Sequence, residues 1–278
     1  MEFPSAARLY PPPDHMMNRL VRAPRKHDKG IIPSRPRYET DIVGHIVDVF
    51  RADTSYEGKR PIGDAHTHLI NRHSYVSMSP TSKRATLTRY GAEIEVFDPL
   101  YLLIPVEHLR PYGTIEILDL YAGWGERLVA ALVEPRIFHY TGFHANDNLI
   151  TAFSSPTLPL CLLPDSRISL NPEPPPSRYR LSNIIVFAPP YHGYDELDEP
   201  LERDEWEDEI LESLKIGIES MTPDGIVLTY LRDYTSEVSG ETYNNIDMIG
   251  AYCQKHNLHL VTTFHCGDND LVCAAWKK

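Results

Sequence analysis

The sequence predicts an α/β protein with a doubly wound sheet that is mostly parallel and ends in an antiparallel hairpin. From Gly113 onward, short apolar segments of strand length alternate with amphipathic segments of helix length. Such alternation is typical of a parallel sheet that helices cover on both faces. The last two apolar segments, 258–264 and 270–276, are separated by only a short turn, so they must pair as an antiparallel hairpin.

The individual elements follow from composition and periodicity. Residues 184–187 (IIVF) are wholly apolar, as a strand buried on both faces should be. Ile210, Leu214 and Ile218 recur at helical spacing with acids on the other face, which predicts an amphipathic helix. In chain order, we predict a strand at 114–121, a helix at 126–133, a strand at 139–143, the start of a helix at 148–153, a candidate strand at 158–163, a strand at 184–187, a helix at 202–220, a strand at 225–231, a helix at 243–256, and strands at 258–264 and 270–276.

Upstream of this region the chain changes character. Residues 1–40 hold seven prolines interleaved with eight Lys and Arg residues and show no sustained apolar period, so we predict a basic, proline-rich arm outside the core. Residues 41–112 are predicted as an N-terminal extension that is partly helical, with a short helix at 42–50. The α/β domain then occupies residues 113–278.

Composition excludes several classes of protein. A chain of 278 residues with 42% hydrophobic and 24% charged residues can bury a sizeable core, unlike a disordered or collagen-like chain. No apolar run approaches the roughly 18 to 20 residues of a membrane-spanning helix. The four cysteines show neither a C-x-x-C pair nor a metal-finger spacing. We therefore expect an intracellular protein, cytoplasmic or nuclear and not secreted, with no membrane association and with buried free thiols.

Charge is distributed unevenly along the chain. There are 27 Lys and Arg residues against 39 Asp and Glu residues, a formal net charge of -12. Residues 195–212 alone hold eleven acids and one arginine, whereas residues 1–40 hold eight cations and four acids. Because binding depends on local patches, the net charge does not exclude a polyanionic partner. The acidic segment is expected to be a solvated loop and helix face or a surface for a protein partner.

Two glycines lie in the strongest motif of the sequence. Residues 119–128 (DLYAGWGERL) place an acid at the end of a predicted strand, a turn with two glycines next, and a helix directly after it. This arrangement lets a cofactor approach the backbone closely at the carboxyl end of a strand. The alternative is a tight strand-to-helix turn without a ligand. The segment lacks the G-x-x-x-x-G-K-[ST] pattern of the phosphate-binding loop of ATPases.

Residues 119–128 resemble motif I of the class I S-adenosylmethionine-dependent methyltransferases, in the variant D-x-x-A-G-W-G-x-R-L found in DNA-methyltransferase-like proteins. The resemblance implies a Rossmann-like methyltransferase sheet and S-adenosylmethionine as the cofactor. The residues that would bind the cofactor or shape its loop are Asp119, Tyr121, Ala122, Gly123, Trp124, Gly125 and Arg127.

A second motif follows the predicted strand IIVF. Residues 187–191 (FAPPY) resemble motif IV of the amino-methyltransferases, [D/N/S]-P-P-[Y/F], which act on exocyclic amino groups of adenine or cytosine. By this resemblance, Ala188, Pro189 and Pro190 would present the target amine, because acceptors aimed at the amino hydrogens favour attack by the nitrogen lone pair. Tyr191 would stack on an extruded base. The alternative for Pro-Pro-Tyr is an ordinary rigid turn.

The sequence departs from the family at two positions. Position 188 is Ala where the family has a side-chain acceptor. Residues 140–147 (YTGFHAND) resemble a family segment in which an acid accepts hydrogen bonds from the cofactor ribose, and His144 stands at the position of that acid. A neutral imidazole offers one acceptor where a carboxylate offers several. Asn146 or Asp147 is the candidate replacement, so His144 and Asn146 join the predicted cofactor site.

The sequence thus predicts a methyltransferase that acts on an exocyclic amino group of a nucleic-acid base, in DNA in preference to RNA. The alternative is a catalytically inactive protein of the same fold that serves as a binding or structural subunit through the arm or the acidic segment. Residues 64–69 (DAHTHL) resemble the first metal motif of amidohydrolases, but those enzymes need a (β/α)₈ barrel, and the region after residue 113 predicts a different sheet. No metal site is expected.

Overall fold

The computed structural model describes residues 30–32, 77, 97–110, 112–123, 125–144, 167–172, 179–190, 202–235, 240–267 and 270–278. The predicted helices at 42–50 and 148–153 and the candidate strand at 158–163 lie outside these residues, as does the H-x-H segment. The same holds for three residues of the predicted sites, which are Trp124, Asn146 and Tyr191.

Strands and helices alternate through most of the described chain. In order, they are β1 (Ile31–Ile32), α1 (Leu100–Leu109), β2 (Ile115–Asp119), α2 (Glu126–Val133), β3 (Ile137–Phe143), β4 (Ile168–Asn171), β5 (Ser182–Phe187), α3 (Arg203–Glu219), β6 (Met221–Leu231), β7 (Tyr234–Thr235), β8 (Thr242–Tyr243), α4 (Asn245–Lys255), β9 (His259–Cys266) and β10 (Val272–Lys277). None of the helices in this part of the chain is long and apolar enough to cross a membrane.

The central sheet has the strand order β1-β9-β10-β6-β5-β2-β3-β4, and β7 pairs separately with β8. Strand β10 runs antiparallel to both of its neighbours, β6 and β9. The remaining pairings in this sheet are parallel. The predicted fold is therefore confirmed, since the chain forms a doubly wound, Rossmann-like α/β sheet that is mostly parallel and carries a C-terminal antiparallel hairpin.

Apolar side chains cover both faces of the sheet, as a doubly wound fold requires. In β2, Ile117 packs into the core that contains α1 and α2, whereas its neighbour Leu118 packs into the core that contains α3 and α4. Successive residues of a strand point to opposite faces, so a run of apolar residues serves both cores. The continuous apolar composition that predicted these strands has this physical cause.

Five elements of the described chain are not among those predicted from the sequence, which are β1, α1, β4 and the two short strands β7 and β8. Helix α1 is buried along residues 100–106 and lies in a part of the chain that shows no clear apolar period. Strand β4 follows the segment in which a strand had been expected. Strand β1 lies within residues 1–40, the range predicted as an arm outside the core, yet Ile32 is 0% exposed and pairs with Cys266 of β9. The predicted domain boundaries at residues 40 and 112 stay predictions.

Among the described strands, the topology places a switch point, at which open α/β sheets form a crevice, at the carboxyl edge of the sheet. From β2 the chain proceeds to β3 and β4 on one side, and it then returns to β5 on the other side of β2. The carboxyl ends of β2 and β5 therefore border the point at which the winding direction reverses. Open α/β sheets bind their ligands at such a switch point.

Candidate functional site

Both predicted motifs leave the sheet at this crevice. Asp119, the last residue of β2, pairs in register with Val186 of β5. The amide N–H of Leu120 donates a hydrogen bond to the carbonyl oxygen of Val186, at 3.0 Å between N and O. The glycine loop after β2 and the proline turn after β5 thus start side by side.

The glycine loop is tightly turned. Gly123 and Gly125 have φ angles of +59° and +98°, a left-handed conformation that residues with a Cβ rarely adopt. A Cβ on Gly123 would lie 2.5 Å from Glu126 Oε1. The amide N–H of Ala122 donates to the carbonyl oxygen of Phe143 at 2.8 Å, which ties the loop to the end of β3. Gly125 is the N-cap residue of α2, so the loop leads directly into the helix.

Asp119 is fully buried, and its carboxylate accepts hydrogen bonds from Arg127, Tyr140 and Tyr121. Its Oδ2 accepts hydrogen bonds from Arg127 Nε at 2.7 Å and from the Tyr140 hydroxyl at 2.8 Å. Its Oδ1 accepts from the amide N–H of Tyr121 at 3.2 Å. Asp119 therefore anchors the first residues of the loop through the Tyr121 N–H and through Arg127.

Burial sets the electrostatics of this cluster. Desolvation raises the pKa of Asp119 above its ordinary value, while Arg127, Tyr140 and the Tyr121 N–H oppose that rise. Desolvation alone would lower the pKa of Arg127, but the neighbouring Asp119 and Glu126 raise it, so the guanidinium stays protonated. Burial also raises the pKa of Tyr140 well above its ordinary value, so its hydroxyl remains a donor. Three donors around one carboxyl group suit its ionised form.

Arg127 connects the cluster to the loop and to the segment before α1. Its Nη2 donates to the carbonyl oxygen of Tyr121. Its guanidinium carbon lies 5.1 Å from the centre of the Phe97 ring, a cation–π contact. Phe97 in turn packs edge-on against Tyr101 and Tyr230. The sequence analysis assigned no role to Phe97. It named Tyr140 only as the first residue of the segment 140–147 and assigned no role to its side chain.

Tyr121 has its backbone and its side chain in different surroundings. The ring packs edge-on against Phe187, at 5.7 Å between centroids, on the face of the sheet that α3 covers. Burial, together with the nearby Glu209 carboxylate, raises the pKa of the Tyr121 hydroxyl to about 12, although a hydrogen bond with Ser213 opposes this. The side chain is therefore a neutral packing group, and the backbone of Tyr121 belongs to the loop.

His144 directly follows β3 and is half-buried. Its amide N–H donates to the carbonyl oxygen of Asn171 at the end of β4, at 3.0 Å. Burial first and the Arg127 cation second lower the pKa of its imidazole to about 4. His144 is consequently neutral at physiological pH, as the sequence comparison assumed. Asn171, which sequence reasoning missed, is the neighbouring polar residue on this edge.

The proline turn after β5 is held by α3. Ala188 is half-buried, Pro189 is buried and Pro190 is exposed. Trp206 Nε1 donates to the carbonyl oxygen of Pro190 at 3.2 Å. This contact fixes the turn, and it also occupies one of the backbone acceptors that follow β5. The carbonyl groups of Ala188 and Pro189 are then the acceptors that the motif IV resemblance assigns to an amine.

The described residues offer no metal site. No group of three or more His, Cys, Asp or Glu side chains among them could hold a metal ion. Cys253, Cys266 and Cys273 are buried free thiols, as predicted. Burial raises the pKa of Cys253 to about 12 and that of Cys266 to about 12, so these thiols are unreactive at neutral pH.

Comparison with known proteins gives structural likeness only. Neither a protein-family model nor a curated protein matches the sequence. The N-methyltransferase NodS from Bradyrhizobium japonicum, in complex with S-adenosyl-L-homocysteine, matches with 17% identity and a TM-score of 0.47, over 64% of this chain and 84% of that chain. A SAM-dependent methyltransferase from Aquifex aeolicus matches with 16% identity and a TM-score of 0.44, over 66% and 90% of the two chains. The fold assignment rests on strand order and register.

Proposed function

We propose that this chain binds S-adenosylmethionine at the carboxyl end of β2 and transfers its methyl group to an exocyclic amino group of a nucleic-acid base, in DNA in preference to RNA. One observation carries the proposal. The glycine loop and the proline turn, which resemble motifs I and IV, border the same crevice at the switch point of the sheet.

The glycine loop fits a cofactor that approaches the backbone. Gly123 and Gly125 adopt positive φ angles and carry no side chain, so their own side chains would not keep a ligand from the backbone of the turn between β2 and α2. The backbone of these two residues would contact the methionine and adenosine parts of the cofactor. His144, at the end of β3, would meet the ribose with one acceptor or one donor, because its imidazole is neutral. S-adenosylmethionine supplies an electrophilic methyl group on a positively charged sulfur.

The proline turn would orient the acceptor. An exocyclic amino nitrogen is a poor nucleophile, since its lone pair is delocalised into the base. The carbonyl groups of Ala188 and Pro189 would accept hydrogen bonds from the amino hydrogens, and this favours a nitrogen lone pair that points at the methyl group. Trp206 would keep the turn in place through Pro190. Tyr191 would stack on the extruded base.

The first test is calorimetric titration with S-adenosylmethionine and, separately, with S-adenosylhomocysteine. We expect micromolar binding by the natural chain and binding at least about tenfold weaker by Gly123→Ala, because a residue with a Cβ is strained at φ +59° and this Cβ would also press on the Glu126 and Arg127 side chains beside the loop. Gly240→Ala is the matched control. Gly240 also has a positive φ, +72°, but it lies outside the glycine loop and no described residue comes within 4 Å of its added Cβ, so this variant should bind normally.

Failure of the folded natural chain to bind either compound would contradict the proposal. If binding is found, the second test is methyl transfer from radiolabelled S-adenosylmethionine to DNA and RNA of varied sequence. Label in adenine or cytosine is the expected result. Label in protein or small molecules only would overturn the nucleic-acid part of the proposal and leave cofactor binding intact.

A second candidate is a catalytically inactive protein of this fold. Ala188 lacks the side-chain acceptor of the family, His144 replaces an acid, and Trp206 occupies the Pro190 carbonyl. Losing one preorganised hydrogen bond to a transition state costs roughly 100- to 1,000-fold in rate. If the double variant Ala188→Asp and His144→Asp gains cofactor binding or turnover that the natural chain lacks, this candidate is correct. Equal activity of the two proteins would contradict it.

A further inference from the structure

Three side chains form a continuous buried network beneath the glycine loop. We call Tyr140, Asp119 and Arg127 the loop anchor. Tyr140 and Arg127 both donate to the same oxygen of Asp119, at 2.8 Å and 2.7 Å. Tyr140 lies in β3, Asp119 ends β2 and Arg127 lies in the first turn of α2, so the loop anchor joins these three elements beside the loop.

The loop anchor holds both backbone polar groups of Tyr121. Asp119 Oδ1 accepts from the Tyr121 N–H, and Arg127 Nη2 donates to the Tyr121 carbonyl oxygen. The two peptide planes on either side of Tyr121 are thereby fixed. Since Ala122 and Gly123 follow directly, the direction in which the loop backbone leaves the sheet depends on these contacts. The Asp119 to Tyr121 bond is the longest of the set, at 3.2 Å, and therefore the most sensitive to a small shift of the carboxylate.

The position of the Asp119 carboxylate depends on its two side-chain donors. The carboxylate is 0% exposed, so water does not replace a lost donor without a rearrangement. Removing the Tyr140 hydroxyl would leave Arg127 as the one side-chain donor to Oδ2 among the contacts described here. The carboxylate would then move toward Arg127, and its hold on the Tyr121 N–H would weaken.

We propose that Tyr140 is a positioning residue for the cofactor loop, which acts on Ala122 and Gly123 through Asp119 and Tyr121 without touching the cofactor. This inference rests on the proposed function for the identity of the ligand. Its structural part, that Tyr140 controls the order of the loop backbone, does not.

The chain provides a matched control for Tyr140→Phe. Tyr230 is also fully buried, at 1% exposed, and its hydroxyl donates one hydrogen bond of the same length, 2.8 Å, to the carbonyl oxygen of Tyr101. Tyr230→Phe therefore removes the same chemical group from a comparable environment and keeps the ring in place. Tyr101 belongs to α1, and the Tyr230 hydroxyl also forms a hydrogen bond with Cys273 of β10. Tyr230→Phe therefore shows how loss of a buried, hydrogen-bonded hydroxyl affects the protein when none of its hydrogen-bond partners belongs to the glycine loop.

The experiment measures two quantities in both variants. Calorimetric titration with S-adenosylhomocysteine gives the affinity, and hydrogen exchange gives the protection of the Tyr121 and Ala122 amides without any ligand. We expect Tyr140→Phe to weaken binding about tenfold and to speed exchange at these two amides, because a hydrogen bond to a charged group is lost. Tyr230→Phe should lower the melting temperature and leave both quantities within about twofold of the natural chain.

Equal behaviour of the two variants in affinity and in loop exchange would overturn the inference. If Tyr140→Phe does not fold, Arg127→Lys provides a second test, since lysine keeps the charge but lacks the planar fork that reaches both Asp119 and Tyr121. It should raise exchange at the same amides, and unchanged exchange would overturn the inference. If the natural chain does not bind S-adenosylhomocysteine, the proposed function fails, and exchange alone decides the role of Tyr140.

Discussion

At the scale of the residue, His144 shows how the fold changes the properties of a single side chain. Its imidazole is half-buried at the end of β3 and lies in the field of the Arg127 cation. Both effects disfavour the protonated form and lower its pKa from 6.5 to about 4. The side chain that directly follows β3 is therefore uncharged over the whole physiological pH range.

The pKa of His144 predicts a pH dependence of stability. Between pH 6.5 and about pH 4 the unfolded chain binds a proton at this residue that the folded chain does not bind. Its contribution to the free energy of unfolding is therefore complete above pH 6.5 and is lost as the pH falls through this window, by at most about 1.4 kcal/mol per pH unit. Denaturant unfolding at several pH values, compared between the natural chain and His144→Gln, measures this contribution.

The difference between the two proteins should be confined to that window. In His144→Gln the free energy of unfolding should fall less steeply on acidification than in the natural chain. His259→Gln is the control, because His259 is exposed at the start of β9. If His144→Gln and His259→Gln gave the same pH profile, burial of the neutral His144 imidazole would have no thermodynamic consequence.

At the scale of the element, the sequence predicted helices and strands that have a regular pattern of their own. Helix α2 has the predicted bounds, Glu126–Val133, because apolar residues recur at helical spacing directly after the Gly125 turn. Helix α1 was missed because it is apolar on nearly all sides, so it shows no amphipathic period, and because it contains Pro105. Strand β1 has only two residues, which is too short for any period.

The candidate site, like the helices and strands, was predictable only where it consists of local sequence patterns. The glycine loop and the proline turn are local patterns, and a sequence shows local patterns directly. The contacts of Tyr140 with Asp119 and of Trp206 with Pro190 join residues 21 and 16 positions apart. They depend on strand register and helix packing, and neither side chain belongs to a local motif that marks such a contact. The one signal available for Tyr140 was its position: it is a residue with a polar group near the start of a strand that was predicted to be buried.

Helix α1 gives a prediction about the extent of the folding unit. Its residues 100–106 are buried in the same core as α2 and β2. Each fully buried Leu or Ile side chain contributes about 1.5–3 kcal/mol to the free energy of unfolding. The free energy lost when α1 is removed should therefore exceed the total stability of a typical domain. We expect a chain of residues 113–278 to lose cooperative unfolding, and a chain of residues 96–278 to keep it at a lower melting temperature because it lacks β1. Thermal unfolding followed by circular dichroism measures both. Identical cooperative transitions in the two chains would place α1 outside the folding unit.

At the scale of the whole molecule, charge is the feature that most affects the choice of partner. The exposed residues in the first half of α3 and just before it are mainly acidic, and they are Glu202, Arg203, Asp204, Glu205, Asp208 and Glu209. The same end of α3 holds the proline turn through Trp206. A nucleic acid presented to that turn would therefore meet a negative surface, and its attraction to the chain would have to come from cations elsewhere, such as those in residues 1–40.

The acidic end of α3 should therefore weaken nucleic-acid binding in a measurable way. We expect Glu205→Gln to raise the affinity for DNA about twofold at low salt, because it removes one repulsive charge near the proposed acceptor site, and the gain should shrink as salt is added. Glu219→Gln is the matched control, since Glu219 is exposed on the same helix but lies about 21 Å further along it, beyond the Debye length of about 10 Å at 0.1 M salt. Fluorescence anisotropy with labelled DNA at several salt concentrations gives both affinities. An equal gain in the two variants would reflect net charge alone, and no gain in either would place bound DNA away from this end of α3. In either case the position of bound DNA would not support a base at the proline turn, and the acidic segment would be better explained as a surface for a basic protein partner.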